Sequence, residues 1–242
     1  MSKIIIYTQA YNAGETLSVA MDSVLNQTYS DFVYIVLDNG STDNTADIIS
    51  EYAQRDKRVV ARYESINDKY RYTNIALEYA GMYEDGWMAM LDADDEYYPD
   101  FLEKMLAFVI EKELDIAMCC TCAFQESGEY LGRIPVISHN IIMDESGLTE
   151  HFHLYSKYLF YWGKFFSFSV LRKCLFENVK KVFVGNDAVF TIEAFGYAQR
   201  IGILNENLHR YNFSSNSRST QYNPKRVEGC AVYCSCLLQL FT

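Results

Sequence analysis

Lys3 to Thr8 carries the unbroken apolar run Ile4-Ile5-Ile6-Tyr7 and reads as a buried strand. From Thr16 to Asn26 the apolar residues Leu17, Ala20, Met21, Val24 and Leu25 recur at helical spacing on one face. Asp31 to Leu37 is a second buried strand. The turn Asp38-Asn39-Gly40-Ser41-Thr42-Asp43 is rich in helix-capping side chains, and it predicts a helix from about Thr45 to Tyr52. Val59 to Tyr63 is a short third strand, Asn74 to Ala80 a short helix, and Trp87 to Leu91 a fourth strand. Pro99 suits the first turn of a helix, which places one from Phe101 to about Glu113. Ile116 to Phe124 is a fifth strand.

Strands alternating with helices predict an α/β fold: one Rossmann-like domain over residues 1–242, with a mostly parallel twisted sheet and helices on both faces. Residues 1–96 form its first half and 97–226 its second. The pattern weakens after Phe124. Ser127 to Ser146 reads as an extended excursion, Tyr155 to Leu171 is aromatic-rich, and Val227 to Phe241 is helical, in a terminal segment of 227–242. In open parallel sheets ligands bind beyond the carboxyl ends of the strands. Each polar cluster of the first half falls at such an end: Tyr11-Asn12, Asp38-Asn39, Asn67 to Arg71, and Asp92 to Asp95. That clustering implies one composite site.

Composition narrows the class. Half the residues are hydrophobic and 22% are charged, as in an ordinary globular protein. The net charge of -11 excludes a nucleic-acid surface, which needs clustered Lys and Arg. It leaves a phosphate ligand open, because a divalent cation neutralises a diphosphate locally. No apolar run reaches the roughly 18 residues of a spanning helix, and Met1-Ser2-Lys3 runs straight into the first strand without a signal sequence. The seven Cys are odd in number and several lie in apolar stretches, so reduced, buried thiols in the cytoplasm are expected, and no zinc site. His151-x-His153 lacks a third ligand. The chain ends on Leu237-Leu238-Gln239-Leu240-Phe241-Thr242, apolar and without a stop signal, as a chain cut from a longer protein would.

Asp92-Ala93-Asp94-Asp95 places carboxylates just past a buried strand. Hard oxygen ligands suit Mg²⁺ or Mn²⁺, which share a few carboxylates with substrate phosphates. Asp-x-Asp by itself arises readily in an acidic chain; its position after Trp87 to Leu91 and before Tyr97-Tyr98-Pro99 makes it a candidate metal site of Asp92, Asp94 and Asp95.

In that order and spacing the motifs resemble the inverting glycosyltransferases of family 2, which have the GT-A fold. The strand leading to Gln9-Ala10-Tyr11-Asn12 resembles the family's opening strand and Pro-Thr-Tyr-Asn. Ser23-Val24-Leu25-Asn26-Gln27-Thr28 is similar to its Ser-Leu-Leu-x-Gln-Thr, Asp38 to Asp43 to its Asp-Asp-Gly-Ser-x-Asp, and Leu91 to Pro99 to its Leu-Asp-Ser-Asp-Asp-x-x-x-Pro. More weakly, Tyr161-Trp162-Gly163-Lys164-Phe165-Phe166 resembles Trp-x-Lys-Leu-Phe, and Gly185-Asn186-Asp187-Ala188-Val189-Phe190 resembles Glu-Asp-x-x-Phe. The resemblance implies that Asp94, with Asp92 or Asp95, holds a divalent cation, Mn²⁺ or Mg²⁺, on the donor diphosphate. It also implies that Asp187 is the base for the acceptor hydroxyl. The donor would be a nucleotide-sugar, with a UDP-sugar favoured, bound by Gln9, Ala10, Tyr11, Asn12, Asp38, Asn39, Lys69, Arg71, Asn74, Asp92, Ala93 and Asp94. Trp162, Lys164 and Asn186 would face a carbohydrate or lipid-linked acceptor; Trp162 reads equally well as core. The setting would be cell-surface polysaccharide or glycolipid synthesis in the cytoplasm, with a peripheral place at the inner membrane face left open, as is the oligomeric state.

Three departures matter. Asn39 replaces the acid that commonly pairs with uracil; an amide both accepts and donates, so the nucleobase is less tightly specified. Asn186-Asp187 replaces Glu-Asp, and Tyr211-Asn212-Phe213-Ser214-Ser215-Asn216-Ser217 lacks the Arg and His of the family's Tyr-Arg-x-His-x-x-Ser, although His209 and Arg210 lie just upstream. These motivate a second reading, a nucleotide-binding or scaffolding relative without turnover. A sugar-phosphate nucleotidyltransferase would need a Gly-rich basic loop after the first strand, and Tyr7 to Thr16 has one Gly and no Lys or Arg. A dinucleotide-dependent dehydrogenase would need G-x-G-x-x-G, which is absent.

Overall fold

The computed structural model describes residues 3–144, 159–182, 185–213, 232–236 and 238. In chain order the elements are β1 (Lys3–Ala10), α1 (Leu17–Leu25), β2 (Phe32–Asn39), α2 (Thr45–Arg55), β3 (Val59–Glu64), α3 (Arg71–Met82), β4 (Gly86–Met90), β5 (Glu96–Tyr97), α4 (Phe101–Lys112) and β6 (Ile116–Gln125). There follow β7 (Tyr130–Ile134), β8 (Ile141–Met143), β9 (Lys164–Ser167), the short α5 (Phe168–Leu171), α6 (Asn186–Tyr197) and β10 (Ile201–Phe213). His151, His153 and the loop from Ser214 lie outside the described residues, as does much of the expected terminal helix, of which 232–236 and 238 are helical.

The strands form one sheet in the order β3-β2-β1-β4-β9-β6-β10-β5, with β7 on β6 and β8 on β10. β3, β2, β1 and β4 are parallel neighbours, and β6 and β10 are parallel over a long ladder. β9 runs antiparallel between β4 and β6, and β5, β7 and β8 also pair antiparallel. The sheet is therefore mixed, with its longest ladders parallel. The chain leaves β1 for β2 and β3 and then returns through α3 to β4 on the other side of β1. This reversal opens a crevice above the ends of β1 and β4.

Alternation within β1 divides the core. Ile4 and Ile6 pack with α1, α2 and α4 on one face, while Ile5 and Tyr7 pack with α3, α5 and α6 on the other. The helices thus cover both faces, as the alternation predicts. β4 starts where β1 starts, and Gly86 (φ +152°) makes that possible: a Cβ there would lie 2.2 Å from the Lys3 carbonyl oxygen. Gln27 fastens the far end of α1. Its buried amide donates to the carbonyls of Ser23 and Tyr98 and accepts from the Leu102 N–H, so the loop after the acidic cluster is tied to the first helix.

Cys119 and Cys122 stand three apart, but on β6, where alternation sends them to opposite faces. Six described cysteines are free, and all but Cys234 are buried. Among the described residues no helix is long and apolar enough to cross a membrane.

Candidate active site

The first three strand ends make a knitted rim. Asn12 adopts a left-handed conformation (φ 50°), its N–H donates to Ser41 Oγ at 2.9 Å, and its Oδ1 accepts from the Thr42 N–H at 2.8 Å. Ala13 N–H donates to Thr45 Oγ1, and Asp38 Oδ1 accepts from the Ser41 N–H. Tyr11 stays exposed on this rim, whereas Ala10 and Asp38 are buried. Gln9 accepts from the Tyr7 hydroxyl and donates to the Asp68 carbonyl at 3.2 Å, joining the end of β1 to the loop after β3. On that loop Lys69 Nζ lies over the Tyr70 ring, and Arg71 pairs with Glu64 at 3.2 Å. Asn74 is exposed on α3.

Asn39 differs from the sequence expectation of direct contact with a base. Its side chain is fully buried, its Nδ2 donates to Asn67 Oδ1 at 2.7 Å, and its Oδ1 accepts from the Asp68 N–H at 3.1 Å. Asn67 is exposed at this rim, and Asn39 lies beneath it.

Asp92, Asp94 and Asp95 follow β4, and one oxygen from each lies within 4.8 Å of the others. All three are held from the second half of the chain. The Tyr161 hydroxyl donates to Asp92 Oδ1 at 2.6 Å. Asn212 donates its side-chain amide to the Asp94 carbonyl and to Glu96, and its N–H to Asp95 Oδ1 at 2.9 Å. Asp95 is fully buried, with Oδ2 3.3 Å from His209 Nε2, itself fully buried. Burial pushes His209 down to about 3, so its ring is neutral. Thr121 Oγ1 lies 3.2 Å from Nδ1, and a hydroxyl donating there leaves the ring proton on Nε2, facing Asp95.

Burial, then the neighbouring Asp95 and Asp94 carboxylates, push Asp92 well above the usual carboxylate range. Burial and Asp94 do the same to Asp95. Clustered carboxylates raised by mutual repulsion are what a divalent cation relieves, so the donor set fits Mg²⁺ or Mn²⁺. Asp92, half-buried, and Asp94, exposed, are open to an ion shared with a ligand. Asp95 faces inward to Asn212 and His209 and fits an anchoring role better.

Asp187 lies in the first turn of α6, half-buried. Burial raises its pKa, opposed by the backbone N–H groups of Ala188 and Asp187 and by the Lys164 charge. Its charge in turn helps raise Asp92, so base candidate and acidic cluster share one field. Asn186 donates to the Tyr72 hydroxyl at 3.0 Å, and the Tyr72 ring lies 5.2 Å from that of Tyr161. Lys164 and Trp162 stand differently from the expected acceptor contact. Lys164 is 1% exposed, donates to the carbonyls of Phe160 and Trp162, and is pushed down to about 7 by burial. The buried Trp162 ring stacks on Phe160 (4.6 Å), His209 (4.7 Å) and Tyr211 (5.7 Å). Both side chains are buried.

Sequence reasoning gave no individual role to Tyr161, Asn212 or Asn67, and did not see the Asp95–His209 pair. Tyr161 opens the quoted aromatic segment, and Asn212 stands inside the altered Tyr211 loop. Position in a motif was the only signal, because a long-range hydrogen bond leaves no periodicity.

A mixed sheet with an acidic pair at the topological reversal defines a GT-A type fold, and solved structures agree. TarS from S. aureus (residues 1-349, in complex with UDP-GlcNAc) superposes with a TM-score of 0.75 at 18% identity, over 98% of this chain and 66% of that one. The family model described as glycosyl transferase family 2 matches residues 5–176. The chain belongs to that family. The uncharacterized glycosyltransferase YibD of Escherichia coli (strain K12) is 32% identical over 136 residues, 55% of this chain and 38% of YibD. The putative teichuronic acid biosynthesis glycosyltransferase TuaG of Bacillus subtilis (strain 168) is 34% identical over 124 residues, 51% of this chain and 45% of TuaG. The chain thus spans less than half the length of either of these curated relatives.

Proposed function

We propose that this chain is a divalent-cation-dependent, inverting glycosyltransferase domain that moves a sugar from a nucleoside-diphosphate sugar to an acceptor hydroxyl. The observation that carries this reading is the Asp92-Asp94-Asp95 cluster at the crevice, in one electrostatic field with Asp187. Asp92 and Asp94 would hold Mn²⁺ or Mg²⁺, which when bound neutralises charge on the departing diphosphate. The rim from Gln9 to Asn12 and from Asp38 to Asn74 would hold the nucleoside. Asp187 would take the acceptor hydroxyl proton as that oxygen bonds to the anomeric carbon and the bond to the diphosphate breaks. One displacement inverts the carbon, so no enzyme nucleophile is needed. Burial raises Asp187, which strengthens it as a base while leaving it ionised near neutral pH only above its raised pKa.

The crystal complex of TarS with UDP-GlcNAc supports a uridine donor, and the name of TuaG supports a cell-surface polysaccharide or glycolipid as the product. We place the domain on the cytoplasmic side, at or near the inner membrane face. The test is thermal unfolding with UDP, GDP, CDP and dTDP, each with and without Mn²⁺. A ligand that binds only the folded state raises its melting temperature. The expected result is a metal-dependent rise, largest for UDP; no rise with any nucleotide would remove the donor site.

A further inference from the structure

We infer that Lys164 is a positioning residue of the metal site: it holds the backbone on both sides of Tyr161 and so keeps the Tyr161 hydroxyl on Asp92. The inference rests on the metal-site reading above. Carbonyl oxygens only accept, so the buried amine donates to both of its backbone partners, to Phe160 and, at 3.4 Å, to Trp162. These residues stand immediately before and after Tyr161 in the chain. Burial brings the amine down to about 7, and a neutral amine still keeps two N–H groups, one for each carbonyl.

Two further contacts hold the same stretch. Trp162 forms a parallel bridge with Met90, the last residue of β4, two positions before Asp92. Gly163, at φ +64°, offers its carbonyl to the Cys119 N–H on β6 at 3.0 Å. The backbone from Phe160 to Lys164 is therefore fastened to β4, to β6 and to its own lysine. From it the half-buried Tyr161 reaches Asp92 Oδ1 at 2.6 Å, with its ring beside that of Tyr72. With the backbone set on both sides, only the ring's own torsions are left to place the hydroxyl. Packing by itself does not call for an amine here. A methionine has nearly the same length and is favourable to bury, whereas an amine is costly to bury unless its hydrogen bonds offset the loss of water. What the amine adds is donors for two carbonyls that a methionine would leave unserved.

The test is calorimetric titration of the whole chain with Mn²⁺ in the presence of UDP, as a double-mutant cycle between Lys164→Met and Tyr161→Phe. Lys164→Met should weaken Mn²⁺ affinity about tenfold or more, as loss of a group that orients a metal ligand does. The double variant should lose little beyond Tyr161→Phe alone, because both substitutions break one path to Asp92. Misfolding would not give this pattern: it lowers the number of binding sites and not the affinity of those that remain. Lys164→Gln keeps an NH₂ group with a reach one atom shorter, so its affinity should fall by less, and it replaces Lys164→Met in the cycle should that variant fail to fold. Unchanged Mn²⁺ affinity in the folded Lys164 variants, or losses that simply add in the cycle, overturns the inference and leaves the metal site standing. A shifted acidic limb of the rate profile with unchanged Mn²⁺ affinity would assign Lys164 to Asp187, whose carboxylate its charge favours, and overturns it as well. Wild type that binds no Mn²⁺ with UDP overturns both the inference and the metal site.

Discussion

From β1 to β4 each strand follows its predecessor after one helix and is parallel to its neighbours, whereas from β5 onward most ladders join distant strands and many run antiparallel. Ile4 pairs with Phe32, but Trp87 pairs with Ser167 and Ile116 with Ile201. The first half is a series of local crossovers, whose handedness and register are set by short-range geometry. The second half is wrapped around it, and that wrapping supplies Tyr161, Asn212 and His209 to carboxylates that the first half presents. The first half would bind the donor; the second would make the site reactive.

Asp187→Asn should have the largest effect on this division. Loss of a general base lowers turnover by about 10²–10⁴, while the Mn²⁺-dependent thermal shift with UDP should stay near wild type. A variant with full turnover would end the assignment of the base. In wild type the acidic limb of the rate profile should lie above the ordinary carboxylate range, because burial raises Asp187.

Gly86→Ala strikes the first half where β4 meets β1. The new Cβ would lie 2.2 Å from the Lys3 carbonyl oxygen in a conformation that L side chains rarely adopt. Stability in urea should drop by about 2–4 kcal/mol; an unchanged midpoint would mean that the strand start moves freely. Tyr161→Phe tests the grip of the second half on the first. Removing a hydrogen bond that orients a metal ligand typically weakens metal affinity by about 10–100-fold. The Mn²⁺ titration should therefore shift while the unfolding midpoint moves little.

On stability Lys164 acts through pH, and per pH unit its effect is the smallest. Its folded pKa is pushed down to about 7 by burial, whereas the unfolded chain keeps this proton to about 10.4. Between those values the unfolded state binds more protons, so this group makes stability rise with pH, by at most about 1.4 kcal/mol per pH unit. The difference in unfolding free energy between wild type and Lys164→Met should therefore vary with pH from 7 to 10. A constant difference would mean that Lys164 holds its proton through the whole window.

Much of the first half was legible because its signals are local. Leu17, Ala20, Met21 and Val24 recur on one face and are buried, and each strand ends where a polar cluster begins. Boundaries moved only slightly: α3 starts at Arg71, and β1 runs on to Ala10. The second half resisted because β9 is four residues long and flanked by aromatics, so neither period shows. β10 carries a break in its pairing between Ile203 and His209, which scrambles the alternation of a 13-residue strand. α6 begins after Gly185 without a side-chain cap to announce it.

The site divides the same way. Asp92, Asp94 and Asp95 were visible as a run of acids after a buried strand, and alternation of strand and helix placed them at the sheet's carboxyl edge. These are properties of neighbours in the chain, which sequence alone determines. Which acid faces the crevice and which is locked onto Asn212 and His209 depends on residues more than a hundred positions away. The burial of Asn39 beneath Asn67 depends on how the loop after β3 folds over the end of β2. Only the tertiary structure decided these, because hydrogen-bond polarity and burial are set by packing.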